Sequence, residues 1–343
     1  MKKRVFSGTR ATGRLHLGNY LGAVKGYIAL QNDPQYDCIY MAMDLHTITT
    51  PFNNHTLAQD TKAVIVDYLA AGLDPEKSII TSQARVPEHT YLAFIFSSVM
   101  SVARMQHLPT FKDKVKQHPD NVTMALLNYP VLMAADILAY KAELVPVGLD
   151  QEPHLEVTRE VARKMNEQFG TDFPEAQRFA TKAEYVPSLL GEGKMSKSVE
   201  GSSIGLTDDL ETILKKVSRI PTDSGKGRVE PSSQAKAGAI YYDQSGSESG
   251  GVASLMHFVE MFMGEEQRKS LEKSYQAEGL RYGDVKRALA EAIFADLTPI
   301  QQKHRELMAR PEYVDQIIEQ GAEKAREIAG QTISEVKNKL GLT

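Results

Sequence analysis

Residues 4–19 read Arg4-Val5-Phe6-Ser7-Gly8-Thr9-Arg10-Ala11-Thr12-Gly13-Arg14-Leu15-His16-Leu17-Gly18-Asn19. Arg4 to Ser7 has the character of a short strand, Gly8 to Gly13 forms a tight turn, and Leu15 to Leu30 carries helical spacing. A strand that turns through glycine into a helix is the opening unit of a parallel α/β sheet, whose ligands sit at the carboxyl ends of the strands. Gly8 and Gly13 have the glycine spacing of a P-loop, but Arg14-Leu15 stand where the Lys-Ser/Thr pair belongs, so a Walker A site is rejected. A dinucleotide fingerprint is rejected as well, because G-x-G-x-x-G is absent. Gly18, Gly22 and Gly26 recur every four residues and on a regular helix share one face. Each costs about 1 kcal/mol relative to Ala, so something must approach closely. Sheet packing serves for Gly22 and Gly26; Gly18, between His16 and Asn19 at the helix start, is placed for a ligand, since backbone N–H groups there attract phosphate.

Strand and helix signals alternate outward from this unit to about residue 170. Apolar Cys38 to Met43 is a strand ending in Asp44-Leu45-His46, and Ser78 to Ser82 and Leu144 to Val147 are further strands. Thr56-x-x-Gln59 reads as a capping box opening a helix that closes at Gly72. Thr90 to Met105 is helical, and Pro130 starts or kinks the helix bearing Asp136. Phe6, His46 and Gly148 are expected at strand carboxyl ends. After Thr207 the pattern is helical: Asp208 to Ile220, Gly251 to Phe262, Glu265 to Tyr275, Tyr282 to Leu297, and two more helices beyond. The expectation is an α/β fold, a Rossmann-like doubly wound parallel sheet with a C-terminal all-helical domain. The boundary is placed at 1–200 and 201–343, with the last helix allowed to pack back on the first part.

The length of 343 residues suggests two domains. Forty basic against 44 acidic residues leaves a net charge of −4, which argues against a non-specific nucleic-acid coat and leaves any RNA contact to local basic patches; Lys215, Lys216 and Arg219, at helical spacing, are a candidate for one and equally an ordinary solvated face. Cys38 is the only cysteine, so intrachain disulfides and cysteine-based zinc or iron–sulfur sites are excluded, and no metal site is expected. No apolar run reaches membrane length and Gly8 to Gly13 interrupts any signal-like segment, so the expected location is the cytoplasm with no membrane partner.

A second motif lies about 180 residues on. Lys194-Met195-Ser196-Lys197-Ser198 sits among Gly191, Gly193, Gly201, Ser202 and Ser203, the composition of a mobile loop. Two ammonium groups at this spacing can reach the phosphates of one nucleotide as charge develops on a leaving pyrophosphate. Taken alone, a K-x-x-K tetrad is usually a solvated loop. Paired with the His16-x-Gly18 turn, it points to ATP and to amino-acid activation.

Phe6-Ser7-Gly8, Thr12-Gly13, His16-Leu17-Gly18-Asn19-Tyr20, Met133-Ala134-Ala135-Asp136-Ile137-Leu138, Val145-Pro146-Val147-Gly148 with Asp150-Gln151, and Lys194 to Ser198 occur in this order. The chain thereby resembles the class I aminoacyl-tRNA synthetases, and among them the bacterial-type tryptophanyl enzymes, over essentially its whole length. The paired signatures carry the class and the Met-Ala-Ala-Asp-Ile-Leu segment carries tryptophan. The resemblance implies ATP with Mg2+ as substrate, no zinc or iron–sulfur cluster, L-tryptophan and tRNA(Trp) as partners, and a homodimer. Phe94 to Met105 is a candidate interface segment and equally a candidate core helix.

By the same resemblance His16, Asn19, Lys112, Lys194 and Lys197 stabilise the phosphates. Arg10, Ala11, Thr12, Gly18, Met195, Ser196 and Ser198 complete the ATP site; the Val186 backbone admits adenine, and Gly148, Leu149 and Asp150 face the ribose. Asp136 lies in an apolar run, and a buried carboxylate must be paired or hydrogen-bonded. On residue type alone it is a structural acid. Under the resemblance it becomes the acceptor for indole, which presents one N–H and no acceptor. Phe6, Met133, Val145 and Val147 supply apolar walls, while Tyr129, His46 and Gln151 hold the amino-acid head or shape the pocket. Arg10-Ala11 replaces the family's usual Gln-Pro, and Leu149 replaces a frequent Glu. Three rival readings stand beside this one: a tyrosyl-tRNA synthetase, a small-substrate nucleotidyltransferase, and a non-catalytic paralogue that binds tRNA or a partner.

Overall fold

The computed structural model describes residues 2–180, 185–191, 193–197, 199–235 and 238–342. In chain order the elements are β1 (Lys3–Arg10), α1 (Leu17–Asn19), a π turn over Tyr20–Val24, α2 (Lys25–Gln31), β2 (Tyr36–Met43), α3 (Asp44–Thr47), α4 (Leu57–Ala71), β3 (Ser78–Ser82), α5 (Glu88–Ser97), α6 (Val102–Gln106), α7 (Pro109–Gln117), α8 (Met124–Leu138), β4 (Leu144–Pro146), α9 (Glu152–Phe169), β5 (Gln177–Phe179), α10 (Leu210–Ser218), β6 (Gly227–Pro231), β7 (Ala239–Asp243), α11 (Gly250–Met263), α12 (Glu265–Gln276), α13 (Tyr282–Met308) and α14 (Pro311–Leu340).

Two compact units emerge, neither continuous in sequence. The first takes residues 1–14, 23–184 and 304–343; the second takes 15–22 and 185–303. In the first, five parallel strands run in the order β3-β2-β1-β4-β5. Arg10 pairs with Met43, Ala42 with Ser82, and Pro146 with Phe179. Arg10, His46, Gln83 and Gly148 therefore follow or end strands on one edge, the carboxyl edge, where ligands collect in such sheets. Phe6 does not: it lies mid-strand opposite Ile39, because β1 runs on to Arg10 rather than stopping at Ser7.

The core of this unit joins β1, β2 and β4 to α5, α8 and α9. Helix α14 packs on β3 and α5. Thr81 donates to the Ile318 carbonyl at 2.8 Å and Thr332 to Ala139 at 2.8 Å. Gly321 makes this approach possible, since a methyl at that position would overlap the Ile80 carbonyl. Asp67, its side chain only 1% exposed, is gripped by Arg14 through Nε at 3.0 Å and Nη2 at 2.6 Å.

Unit 2 holds helices α10 to α12, much of α13, and an antiparallel hairpin of β6 and β7. Asp223 ties it together, accepting from Ser249 (2.7 Å), Tyr275 (2.5 Å), Tyr282 (2.8 Å) and the Gly225 N–H (2.8 Å).

Several local expectations need correction. Thr56 makes no cap; its hydroxyl turns to Asp60 at 2.9 Å. The helix expected over Thr90–Met105 is two, α5 and α6, separated where Ser101 caps the second by accepting from Arg104 N. Pro130 sits inside α8, which instead begins after Thr123, whose Oγ1 accepts from Leu126 N at 3.2 Å. The π turn offsets Gly18, Gly22 and Gly26 from a common face, because it holds more residues per turn than an α-helix. Beyond α13 there is one helix, α14, rather than two, and the β6–β7 hairpin was not foreseen.

Candidate active site

Unit 1 carries a buried acid near the carboxyl edge of its sheet. Asp136 is fully buried on α8. Its Oδ2 accepts from His46 Nε2 at 2.8 Å and its Oδ1 from Gln83 Nε2 at 2.7 Å. His89 Nδ1 stands 2.9 Å from Oδ1, at an angle too oblique for a full hydrogen bond. Burial alone pushes this carboxyl upward in pKa. Hydrogen bonds from His46 and His89, with their electrostatic pull, outweigh it, and the group is held down at about 2. Asp136 is therefore an anion at neutral pH and offers only acceptors.

The four apolar residues expected as walls belong to one core cluster. Phe6 and Val145 are buried in the core, with Met133 and Val147 partly buried against it. Phe6 stacks on Tyr140 with centroids 5.4 Å apart and planes 13° off parallel. Tyr129 and Gln151 are joined through a residue that the sequence did not single out. Tyr129 Oη lies 2.7 Å from His154 Nε2, and His154 Nδ1 lies 2.9 Å from Gln151 Oε1. Burial, with a further push from His46, lowers the His154 pKa to about 4. Gln83, His89 and His154 are thus the missed members. Gln83 had a signal, a polar residue just past a strand end, while His89 and His154 sit within helical patterns where a lone histidine reads as core.

At the carboxyl end of β1, Arg10 Nη2 donates to Thr50 Oγ1 at 2.6 Å and to the Thr47 carbonyl at 3.2 Å. Its Nε is buried without a hydrogen-bond partner, and burial lowers its pKa against a smaller opposing pull from Tyr129. Ala11 N–H donates to Thr47 Oγ1 at 2.9 Å, and Thr12 N–H to Arg10 O at 2.9 Å. Gly148, Leu149, Asp150 and Gln151 form the turn between β4 and α9, with Leu149 65% exposed and Gln151 Nε2 on Asp150 Oδ2 at 2.8 Å. On α7, Lys112 is exposed. Lys114, two residues on, is the lysine that burial and the Arg10 charge push down.

Unit 2 brings the two signature motifs together. His16 caps α1 reciprocally: its Nδ1 accepts from Asn19 N–H at 3.3 Å, and Asn19 Oδ1 accepts from His16 N–H at 3.2 Å. Gly18 N–H points at Met195 Sδ, 3.2 Å away. A methyl on Gly18 would lie 2.9 Å from His16 Cε1 and Nδ1 and 3.1 Å from Met195 Cβ. Met195 N–H donates to the Val186 carbonyl at 2.9 Å, and Ser196 O accepts from the Ser202 hydroxyl. Lys194 and Lys197 are exposed, yet close enough to His16 to join burial in lowering its pKa to about 4. Ser198 lies outside the described residues. In the same unit Lys216 pairs with Asp208 at 2.6 Å, and Lys215 is exposed on α10. Among the described residues no cluster of His, Cys, Asp or Glu is disposed to hold a metal ion, and no helix is long and apolar enough to cross a membrane.

A family model described as class I tRNA synthetases (W and Y) matches residues 1–298. The tryptophan–tRNA ligase of Porphyromonas gingivalis is 37% identical over 98% of both chains, and that of Rickettsia conorii is 38% identical over 99% of both. The tryptophanyl-tRNA synthetase of Campylobacter jejuni, solved with ADP and tryptophan, superposes with a TM-score of 0.82 at 30% identity, covering 98% of this chain and 99% of that one. The Mycoplasma pneumoniae enzyme superposes with a TM-score of 0.83 at 30% identity, over 100% of this chain and 99% of that one. With a lysine loop seated on a His-x-Gly turn and a buried, hydrogen-bonded carboxylate on α8, the chain belongs to the class I aminoacyl-tRNA synthetases, in their tryptophan–tRNA ligase branch.

Proposed function

We propose that the chain activates L-tryptophan with ATP and transfers it to tRNA(Trp), and that the residues described above divide this work as follows. The observation that carries the reading is Asp136: an ionised, fully buried acceptor at the floor of an apolar pocket, suited to one aromatic N–H. Phe6, Met133, Val145 and Val147 clamp the bicyclic ring. His46, Tyr129 and Gln151 orient the amino-acid head, the last two through His154.

The tryptophan carboxylate attacks the α-phosphorus of ATP, which enters as its Mg2+ complex. Pyrophosphate leaves, and tryptophanyl-adenylate remains. No side-chain nucleophile is needed; positioning and charge do the work. His16, neutral at pH 7 with its pKa lowered to about 4, serves as a hydrogen-bonding group rather than a cation. Asn19, Lys112, Lys194 and Lys197 stabilise the phosphates. Lys114 is an equal candidate on α7, because it shares charge repulsion with Arg10. Arg10, Ala11, Thr12, Gly18, Met195, Ser196 and Ser198 complete the ATP contacts. Val186 supplies backbone to adenine, and Gly148, Leu149 and Asp150 meet the ribose. The 2′-hydroxyl of the terminal ribose then attacks the activated carbonyl and AMP leaves. The segment after residue 200 reads the anticodon, the last helix returns to the catalytic part, and the enzyme works in the cytoplasm as a homodimer. Exposed Tyr91 (44%), Phe94 (82%), Val102 (57%) and Met124 (74%), on or beside α5, α6 and α8, which pack on one another, support such an interface.

The test is amino-acid-dependent ATP–pyrophosphate exchange, with tryptophan and tyrosine in parallel, on wild type and Asp136→Ala. Exchange with tryptophan that is largely lost in a folded variant is the expected result. Exchange with tyrosine instead moves the chain to the sister activity, and none with either leaves a binding paralogue.

A further inference from the structure

Asp136 has about four acceptor positions, two on each oxygen. Gln83 and His89 face Oδ1, and His46 occupies one position on Oδ2. That leaves a single acceptor position, on Oδ2. An indole N–H can be satisfied only if the carboxylate plane keeps this orientation; turned by about a quarter, the open position would face elsewhere. His46 and Gln83 come from the ends of β2 and β3, whereas His89 reaches Asp136 from α5 and is itself fully buried.

The His89 ring is fixed from its far side. Its Nε2 lies 2.6 Å from the Tyr140 hydroxyl. Tyr140 is fully buried beside the charges of Asp136 and Glu88, all of which keep its phenol protonated. The ionised Asp136 only accepts, so Nδ1, the His89 nitrogen 2.9 Å from it, carries the proton, and Nε2 is left to accept from the Tyr140 hydroxyl. Tyr140 also stacks on Phe6, the pocket wall, and Phe6 meets the His89 ring edge-on with centroids 6.4 Å apart at 78°. The floor and one wall of the pocket thus hang on the same Tyr140–His89 pair.

We propose that His89, its tautomer set by Tyr140, is a positioning residue that orients the Asp136 carboxylate and thereby sets the enzyme's preference for a substrate ring bearing an N–H. This rests on Asp136 being the indole acceptor. His89 touches no substrate. Its effect should appear as discrimination between tryptophan and β-(3-benzothienyl)alanine, in which sulfur replaces the N–H at nearly constant shape.

The experiment is pyrophosphate exchange with both substrates on the full chain, giving KM and kcat for wild type, His89→Leu, His89→Asn, Tyr140→Phe and Asp136→Ala, with thermal unfolding of each. In His89→Leu the KM for tryptophan should rise about tenfold or more while kcat changes little, as for loss of a ground-state contact. The KM for the benzothienyl analogue should hold, so the preference collapses. His89→Asn keeps a donor where Nδ1 stood and should restore most of the preference. Tyr140→Phe frees the tautomer and should fall between, and these two variants carry the test if leucine does not fold. Equal changes for both substrates, or none, in folded His89 variants would overturn the proposal. Retained preference in Asp136→Ala would overturn the acceptor reading beneath it. Preference lost in Asp136→Ala but kept in the His89 variants removes only the role of His89.

Discussion

Replacing Gly18 by alanine sets two opposed effects against each other. Within a helix alanine is favoured over glycine by about 1 kcal/mol, so on propensity alone the variant would be the more stable protein. The structure argues the reverse. The new methyl would stand 2.9 Å from two atoms of the His16 ring and 3.1 Å from Met195 Cβ. Overpacking of this kind costs about 1–3 kcal/mol. If the His16 ring moves aside it gives up its bond from Asn19 N–H, and a lost cap costs about 1 kcal/mol more. Net destabilisation of roughly 1–3 kcal/mol is expected, read by urea unfolding. If Met195 moves instead, it gives up its contact with Gly18 N–H, and Lys194 and Lys197, on either side of it, move too. The KM for ATP in pyrophosphate exchange should then rise about tenfold, equivalent to about 1.4 kcal/mol. A variant at least as stable as wild type, with an unchanged KM for ATP, would show that neither His16 nor Met195 constrains this site.

Gly321→Ala should be more damaging although it lies far from any reacting group: a methyl against the Ile80 carbonyl must lift α14 from β3, with a loss of about 3 kcal/mol in thermal unfolding. His16 and His154 bind a proton at about 4 in the folded chain and at 6.5 when unfolded. Between those values the unfolded state holds more protons, so their contribution to stability is complete above pH 6.5 and is lost as pH falls toward 4, by at most about 3 kcal/mol each. His154→Asn should flatten the difference in urea stability between pH 7 and 4.5 relative to wild type, and parallel curves would refute this. Arg10→Gln removes a half-buried cation placed at the carboxyl edge and should raise the KM for ATP about tenfold if it makes one charge-assisted bond; an unchanged value would leave Arg10 as a brace for Thr47 and Thr50 only.

The fold class was legible because its signals are local and repeated: strand-like runs at Phe6, Ile39 and Ile80, each followed by a turn and a helix. Asp136 was legible as a buried acid because a carboxylate amid Met133, Ala134, Ala135 and Ile137 has no other physical fate than a partner. Its partners were not. His46, Gln83 and His89 converge only because β2 and β3 end side by side and α5 begins beside them, and no spacing in the chain records that. Lys112 and Lys114 are alternatives in sequence; helix phase separates them, leaving one exposed and the other facing Arg10's charge. Thr56 failed as a cap because Asp60, four residues on, offered its hydroxyl a better acceptor. The β6–β7 hairpin hid in a Ser- and Gly-rich stretch, its strands too short for a period to show.

Helix α14 sets an order of events during synthesis. The hydroxyl of Thr81 waits for the carbonyl of Ile318, 237 residues further along the chain, and Ala139 waits for Thr332. A nascent chain therefore carries the outer strand of its parallel sheet, and the helix that holds Asp136, long before the ribosome has made what covers them. Exposed strands of this sort recruit chaperones or other chains. An enzyme that feeds the ribosome thus depends on a segment made 193 to 237 residues after the groups it braces, and fragments from messages that stall before it will lack the support for β3 and for the helix bearing Asp136.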